Sequence, residues 1–344
     1  MSLGCAQLGN LYRSISESVA ADIVEAAWSR GIRNFDTAPH YGLGLSERRL
    51  GDALSSHRRG DFTISTKVGR MLDPNPNFAG EDDPGGFAVP ARFVRRWDFS
   101  ADGVRRSIDS SLERLKLDRI DLALLHDPEE HLADPAQAIR EAYPALEQLR
   151  SEGVIGAIGV GTKSTETLLE FVQNTEIDAI MLAGRYTLVN QEASTALLPA
   201  CERGSVDVLN AGVFNSGILA SRRPAGGSVF DYGAATESLI HRVNDIADVC
   251  DDFGTTVPRI ALQFAASHPA VRAIVFGADS AAQVDENMDL IEADYAPDEL
   301  WNTLVQLGLI PEDAAQYVLT GSLVDLGTSI SAPTEPQEEP DVAI

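Results

Sequence analysis

Residues 153–161 read GVIGAIGVG, a nearly continuous apolar run framed by glycines. They follow IDLALLH at residues 120–126 across a stretch, residues 136–150, whose Ile139, Ala142, Leu146 and Leu149 share one helical face. A strand that is apolar at almost every position is buried on both sides, which is the environment of a parallel sheet covered by helices. The same alternation recurs outward in both directions. Upstream lie strand patterns at residues 2–5, 32–36 and 62–68, with helical patterns at 18–30, 46–56 and 100–115. Downstream lie strand patterns at residues 177–182, 206–212 and 271–277. Eight short strands separated by helices predict an α/β protein of the (β/α)8 TIM-barrel type. A doubly wound sheet has the same local alternation. However, no GxGxxG follows the first strand, and polar residues recur after several different strands, where a barrel gathers its site.

Composition narrows the function. The 344 residues are 44% apolar and carry 27 basic against 52 acidic side chains, a net charge of −25. Such acidity argues against nonspecific nucleic-acid binding and against anionic membranes, both of which need basic surface. No stretch approaches 18 uninterrupted apolar residues, and the start lacks a basic segment followed by an apolar one, so a cytoplasmic protein is expected. Cys5, Cys201 and Cys250 are scattered without a CxxC or a metal-ligand spacing, so neither a disulfide framework nor a metal site is expected. The barrel domain is expected over residues 1–325, and the Ser-, Pro- and acid-rich residues 326–344 as a disordered tail. Residues 69–98 and 214–238 are expected as long loops over the mouth. The first holds Phe78, Phe87, Phe93 and Trp97, either an aromatic wall for a substrate or anchors of the loop itself.

The chemistry is expected at strand ends. Asp36 closes the second strand in NFDTAPHYG, Tyr41 follows in the same segment, Lys67 closes the third in STKVG, and His126 closes the fourth in LLHDP. In a barrel these positions converge on one mouth. There a tyrosine can exchange a proton with a substrate oxygen, a lysine can favour its phenolate, an aspartate can hold the lysine, and a histidine can place the same oxygen. Taken singly, each residue has an ordinary structural use; the set is what carries the information.

These segments, NFDTAPHYGLGLSERRLG, TISTKVG, LALLHDP and GVIGAIGVG with the late FGADSAAQVDEN, resemble the aldo-keto reductase family over roughly residues 2–292. The resemblance implies a nicotinamide cofactor without metal or flavin, and a catalytic set carried by Tyr41, Asp36, Lys67 and His126. The chain enters its first strand without the short hairpin that commonly precedes it in that family. The resemblance also puts the adenylate end of the dinucleotide at the last strand. There Gly277 opens a turn, Ser280 caps the next helix, and Gln283 and Asn287 lie four residues apart on one face of it. Asp279 stands where relatives using NADP often carry a basic residue. A carboxylate repels the extra phosphate and accepts from ribose hydroxyls, which favours NAD. The turn of Gly212, Val213, Phe214, Asn215, Ser216 and Gly217 is expected to offer backbone donors to the pyrophosphate, with Arg222 and Arg223 as local cations.

At the nicotinamide end the chain departs from the family. It reads Gly159-Val160-Gly161-Thr162 and Ala183-Gly184-Arg185-Tyr186-Thr187, so no carboxamide-binding Asn or Gln is carried over. Tyr186 is expected to stack on the nicotinamide ring or to serve as a rim aromatic. AGRYTLVN with VLNAGVFNSGILA resembles the branch of aldose 1-dehydrogenases and pyridoxal 4-dehydrogenase, whose members oxidise a cyclic hemiacetal to a lactone. The expected substrate is therefore a small hemiacetal or aldehyde: an aldose such as L-fucose, D-arabinose or L-galactose, or alternatively pyridoxal. A reductase driven by NADPH, and a nucleotide-binding scaffold without turnover, are the readings from other classes.

Overall fold

The structure, a computed structural model, describes residues 1–319; the expected tail and the last residues of the expected barrel domain lie outside them. Eight parallel strands close a barrel: β1 (Ser2–Gly4), β2 (Asn34–Asp36), β3 (Thr63–Val68), β4 (Ile120–His126), β5 (Ile155–Thr162), β6 (Ala179–Ala183), β7 (Asp207–Ala211) and β8 (Val271–Gly277). Each pairs with the next, and β8 returns to β1 through Ser2 opposite Val275 and Gly4 opposite Gly277. The TIM-barrel expectation and all eight strand positions stand.

The strands look uniformly apolar in sequence, yet they alternate in space. Leu122, Leu124, Ala157, Ala179, Met181, Leu209, Ala273 and Val275 fill the lumen, while Ala123, Leu125, Ile158, Val160, Ile180, Leu182 and Val208 belong to the outer core under the helices. That outer layer comprises α1 (Glu17–Ser29), α2 (Leu45–Leu54), α3 (Ala101–Leu115), α4 (Ala136–Ser151), α5 (Thr165–Asn174), α6 (Leu197–Gly204), α7 (Glu237–Asp252), α8 (Val257–Ala265) and α9 (Ala281–Glu292). Side-chain oxygens of Ser16, Ser100, Ser164, Thr236 and Ser280 cap five of these helices by accepting from the backbone N–H three residues on. Two further helices, α10 (Asp298–Gln306) and α11 (Glu312–Leu319), follow the barrel, and the former buries Trp301 completely.

Both long connections fall at the C-terminal ends of strands. Residues 69–98 are more ordered than a loop: Arg70–Pro74 and Phe93–Trp97 form an antiparallel ladder. Residues 214–238 carry a short ladder of Val229–Phe230 with Gly233–Ala234. Among the described residues no helix is long and apolar enough to cross a membrane.

Candidate active site

The ends of β2, β3 and β4 bring Asp36, Lys67 and His126 to one mouth, and the turn after β2 adds Tyr41. Lys67 Nζ donates to Asp36 Oδ2 at 2.7 Å, to Asp36 Oδ1 at 2.9 Å and to the Thr37 carbonyl at 2.9 Å. Ser65 Oγ donates to Asp36 Oδ1 at 2.7 Å. Both charged side chains are almost completely shielded from solvent. The ammonium stands 4.7 Å from the Tyr41 ring centroid, and the His126 ring lies edge-on at 6.2 Å from the same ring. The Tyr41 turn is set by close backbone packing. Gly42 takes φ +61 against Gly9, and a Cβ on Gly9 would stand 2.6 Å from the Tyr41 carbonyl carbon.

Electrostatics modify the expected roles. Burial pulls the Lys67 pKa down, but the Asp36 carboxylate more than offsets this and leaves it above the ordinary lysine value. Burial pushes the Tyr41 phenol up to about 12, and the nearby Lys67 opposes this without overturning it. Lys67 thus acts in the expected direction, toward the phenolate, but burial outweighs it and the phenolate is the minor form at neutral pH. His126 is held well below the usual imidazole value by burial and then by Arg70 and Lys67, so its ring is neutral. Its Nε2 lies 3.3 Å from Asp127 Oδ2 and its Nδ1 has no partner. A carboxylate at Nε2 favours the tautomer with the proton there, leaving Nδ1 as an acceptor.

Several residues around this set escaped the sequence reading. His40, next to Tyr41, packs edge-on against His126 at 5.7 Å and against Phe87 at 5.3 Å, and burial with nearby Arg95 lowers its pKa to about 2. Arg95 reaches from the hairpin to the His40 carbonyl at 2.9 Å while paired to Asp83 at 2.6 and 2.7 Å. Arg70, from the other limb, pairs with Asp127 at 2.5 Å and Glu130 at 2.9 Å. Of the four aromatics in the excursion only Phe87 reaches Tyr41, at 6.1 Å between centroids. Trp97 instead stacks on Phe99 and His131, Phe78 lies under Arg92, and Phe93 is exposed. The adjacency of His40 to Tyr41 in NFDTAPHYG was the one available signal.

A cavity of about 1070 Å³ opens beside this set along the ends of β6, β7 and β8. Gly212, Phe214, Asn215, Ser216, Gly217, Gly277, Asp279, Gln283 and Asn287 all line it, as do Lys163, Arg222 and Tyr232. Ser280 stands behind the lining as the cap of α9. Asp36, Tyr41, Lys67 and His126 lie outside that lining; Tyr232, which belongs to it, interacts electrostatically with Tyr41 and Lys67. Four lining residues hold buried polar atoms without a partner: Gln7 Oε1, Asn215 Oδ1, Thr255 Oγ1 and Arg259 Nε. Unpaired donors and acceptors spread along an elongated cavity that ends at a capped helix start fit a dinucleotide. A Cβ on Gly277 would stand 2.6 Å from the Gln7 amide oxygen, so any side chain there would push the Gln7 amide aside.

Two cofactor expectations change in detail. Tyr186 is fully buried, its hydroxyl 2.9 Å from Ser267 Oγ and its ring against Phe264 and His268. It packs in the barrel's outer layer and is not part of the cavity lining, which Ala183 and Gly184 join instead. Gln283 lines the cavity; its side-chain oxygen accepts from the Asp279 N–H at 2.8 Å, which leaves only the amide NH2 for a ligand. Asp279 itself pairs with Arg13 at 2.7 Å. Arg223 is tied to Asp248 and Asp251, leaving Arg222 as the unpaired cation of that pair among the described residues.

Known proteins carry the same frame. The aldo/keto reductase family model matches residues 1–307. The chain is 44% identical to a D-threo-aldose 1-dehydrogenase of Pseudomonas sp over 313 residues, 90% of this chain and 94% of that protein. It is 36% identical to a pyridoxal 4-dehydrogenase of Microbacterium luteolum, again over 90% and 94%. Identity to an L-galactose dehydrogenase of Arabidopsis thaliana is 31%, over 84% and 82%. Among solved structures, an aldo-keto reductase from Bacillus halodurans in its holo form superposes with a TM-score of 0.69 at 26% identity, over 89% of this chain and 91% of that one. A closed parallel barrel, a mouth built from the ends of β2, β3 and β4, and matches of this extent lead to one conclusion: the chain is an oxidoreductase belonging to the aldo/keto reductase family.

Proposed function

We propose that the chain is an NAD-dependent dehydrogenase that oxidises the anomeric carbon of a cyclic hemiacetal, an aldose by first preference, to the lactone. The supporting observation is the Asp36–Lys67 pair packed against Tyr41 at the barrel mouth, in a chain 44% identical to an aldose 1-dehydrogenase. NAD, when bound, supplies the two-electron acceptor. The Gly212–Gly217 turn, Gly277, Asp279, Asn287 and the start of α9 would hold it. Tyr41, in its minor phenolate form, takes the hydroxyl proton of the hemiacetal as the carbonyl forms. Lys67, fixed by Asp36, favours that phenolate before the transfer, and the incoming proton neutralises it to the phenol. His126, neutral and carrying an unpartnered Nδ1, holds the same oxygen in line. The Asp279 carboxylate disfavours the extra phosphate of NADP, and its Arg13 partner reduces that penalty. Three buried, unbridged cysteines suit a reducing compartment such as the cytoplasm.

Phe87, tilted toward the Tyr41 ring and edge-on to His40, supports pyridoxal as a second reading together with the 36% identity to a pyridoxal 4-dehydrogenase. The test is NADH formation by purified protein with L-fucose, D-arabinose, L-galactose and pyridoxal, with NAD or NADP, beside Tyr41→Phe. Turnover of one substrate that falls about 100- to 10,000-fold in the variant supports the reading. Turnover untouched by Tyr41→Phe, or none with any member of the panel, overturns it.

A further inference from the structure

The mouth contains polar groups that neither the proton path nor the cofactor cavity uses. His40 Nδ1 and Arg70 Nε are buried without a hydrogen-bond partner, beside the unpartnered His126 Nδ1. In their midst stands Asp127, at φ +45 in the left-handed region that aspartate enters more readily than most residues. Its N–H donates to the Gly161 carbonyl at 3.0 Å, and its Oδ2 is shared between Arg70 Nη2 at 2.5 Å and His126 Nε2 at 3.3 Å. Arg70 is fixed in turn by Glu130 and by the Trp97 ring, 4.3 Å from its guanidinium carbon. Asp127 Oδ1 takes no hydrogen bond among the described residues.

A carboxylate and a guanidinium locked in one geometry offer acceptors and donors at the spacing of neighbouring hydroxyls, each of which donates once and accepts once. A flat heteroaromatic ring would cover these groups and leave them unpaired, the situation that lets a polar site reject an analogue lacking its hydroxyls. We propose that Asp127 and Arg70, with His40 beside them, bind the ring hydroxyls of the substrate. The substrate class is then a polyhydroxylated cyclic hemiacetal, a free sugar, rather than a flat aromatic aldehyde. This rests on the hemiacetal-oxidation reading above and adds to it the residues that choose among hemiacetals.

The experiment compares an aldopyranose such as L-fucose with 2-hydroxytetrahydropyran, a cyclic hemiacetal without ring hydroxyls, in wild type and Asp127→Asn. NADH titration of both proteins establishes that the variant folds and binds cofactor. The expected result is a fall in kcat/KM for the sugar, carried mainly by KM, that exceeds by about 10- to 100-fold whatever loss 2-hydroxytetrahydropyran shows through the Asp127 contact with His126 Nε2. Equal losses on both substrates, or no loss on either, overturn the proposal. A second readout needs no turnover: quenching of enzyme-bound NADH fluorescence by the corresponding sugar lactone, expected in wild type and weakened by the same factor in Asp127→Asn. Asp127-dependent lactone binding without any hemiacetal oxidation would retain the recognition site and sink the proposed reaction. Oxidation of both hemiacetals with Asp127 indifferent would do the reverse.

Discussion

Lys67 spends its hydrogen bonds on Asp36 and the Thr37 carbonyl, so neither member of the buried pair can be removed alone without leaving a polar group stranded. Lys67→Met should therefore destabilise the protein by about 3–5 kcal/mol in urea unfolding, and adding Asp36→Leu should recover most of that loss while turnover stays absent. Activity and stability part company in that pair of variants. Tyr41 makes a pH prediction of definite sign. Its phenol is raised to about 12, so the phenolate fraction that can take a proton grows tenfold per pH unit throughout the neutral and mildly alkaline range. For hemiacetal oxidation, log kcat/KM should rise with pH at a slope near one and level off only close to that pKa; a flat profile between pH 7 and 10 would remove Tyr41 as the base. At the far end of the cavity, Asp279→Ser frees Arg13 to meet a phosphate, and the ratio of kcat/KM with NADP to that with NAD should rise several-fold.

Elements show where sequence and structure agree and where they part. Parallel strands buried on both faces write themselves as apolar runs, so all eight were legible, and with them Asp36, Lys67 and His126, which stand where those runs end. The hairpin within residues 69–98 was not legible, because RMLDP and FVRRW have no consistently apolar face. Arg70, Asp73, Arg95 and Arg96 find ionic partners in three dimensions that no periodicity announces. Tyr186 was misplaced since strand-end position alone does not say whether the chain leaves the barrel inward or outward. The helices α10 and α11 went unread because eight strands already accounted for the barrel, although Leu300, Trp301 and Leu304 show helical spacing. Packing can also reverse a propensity. On α2, Gly51 touches the Leu115 backbone at the end of α3, where a Cβ has no room. Propensity alone would make Gly51→Ala stabilising by about 1 kcal/mol, but displacing α3 costs about 1–3 kcal/mol, so the denaturation midpoint should fall.

For the whole molecule, a net charge of −25 implies self-repulsion spread over the surface. Thermal unfolding should move up by a few degrees between about 10 and 300 mM sodium chloride as that repulsion is screened, and a decrease would mean that the surface ion pairs outweigh it. The barrel and its first excursion also divide the labour. Asp36, Lys67 and His126 come from strands, with Tyr41 just beyond one, whereas Arg70, Phe87 and Arg95 come from residues 69–98, an excursion closed at its base by its own ladder and by the Asp98 N–H donating to the Gly69 carbonyl at 2.9 Å. Such a segment is a cassette: transplanted between related barrels through its paired base, it would bring the Arg70 and Phe87 side of the mouth to a new host, where the residue standing at Asp127's place decides whether the pairing is kept.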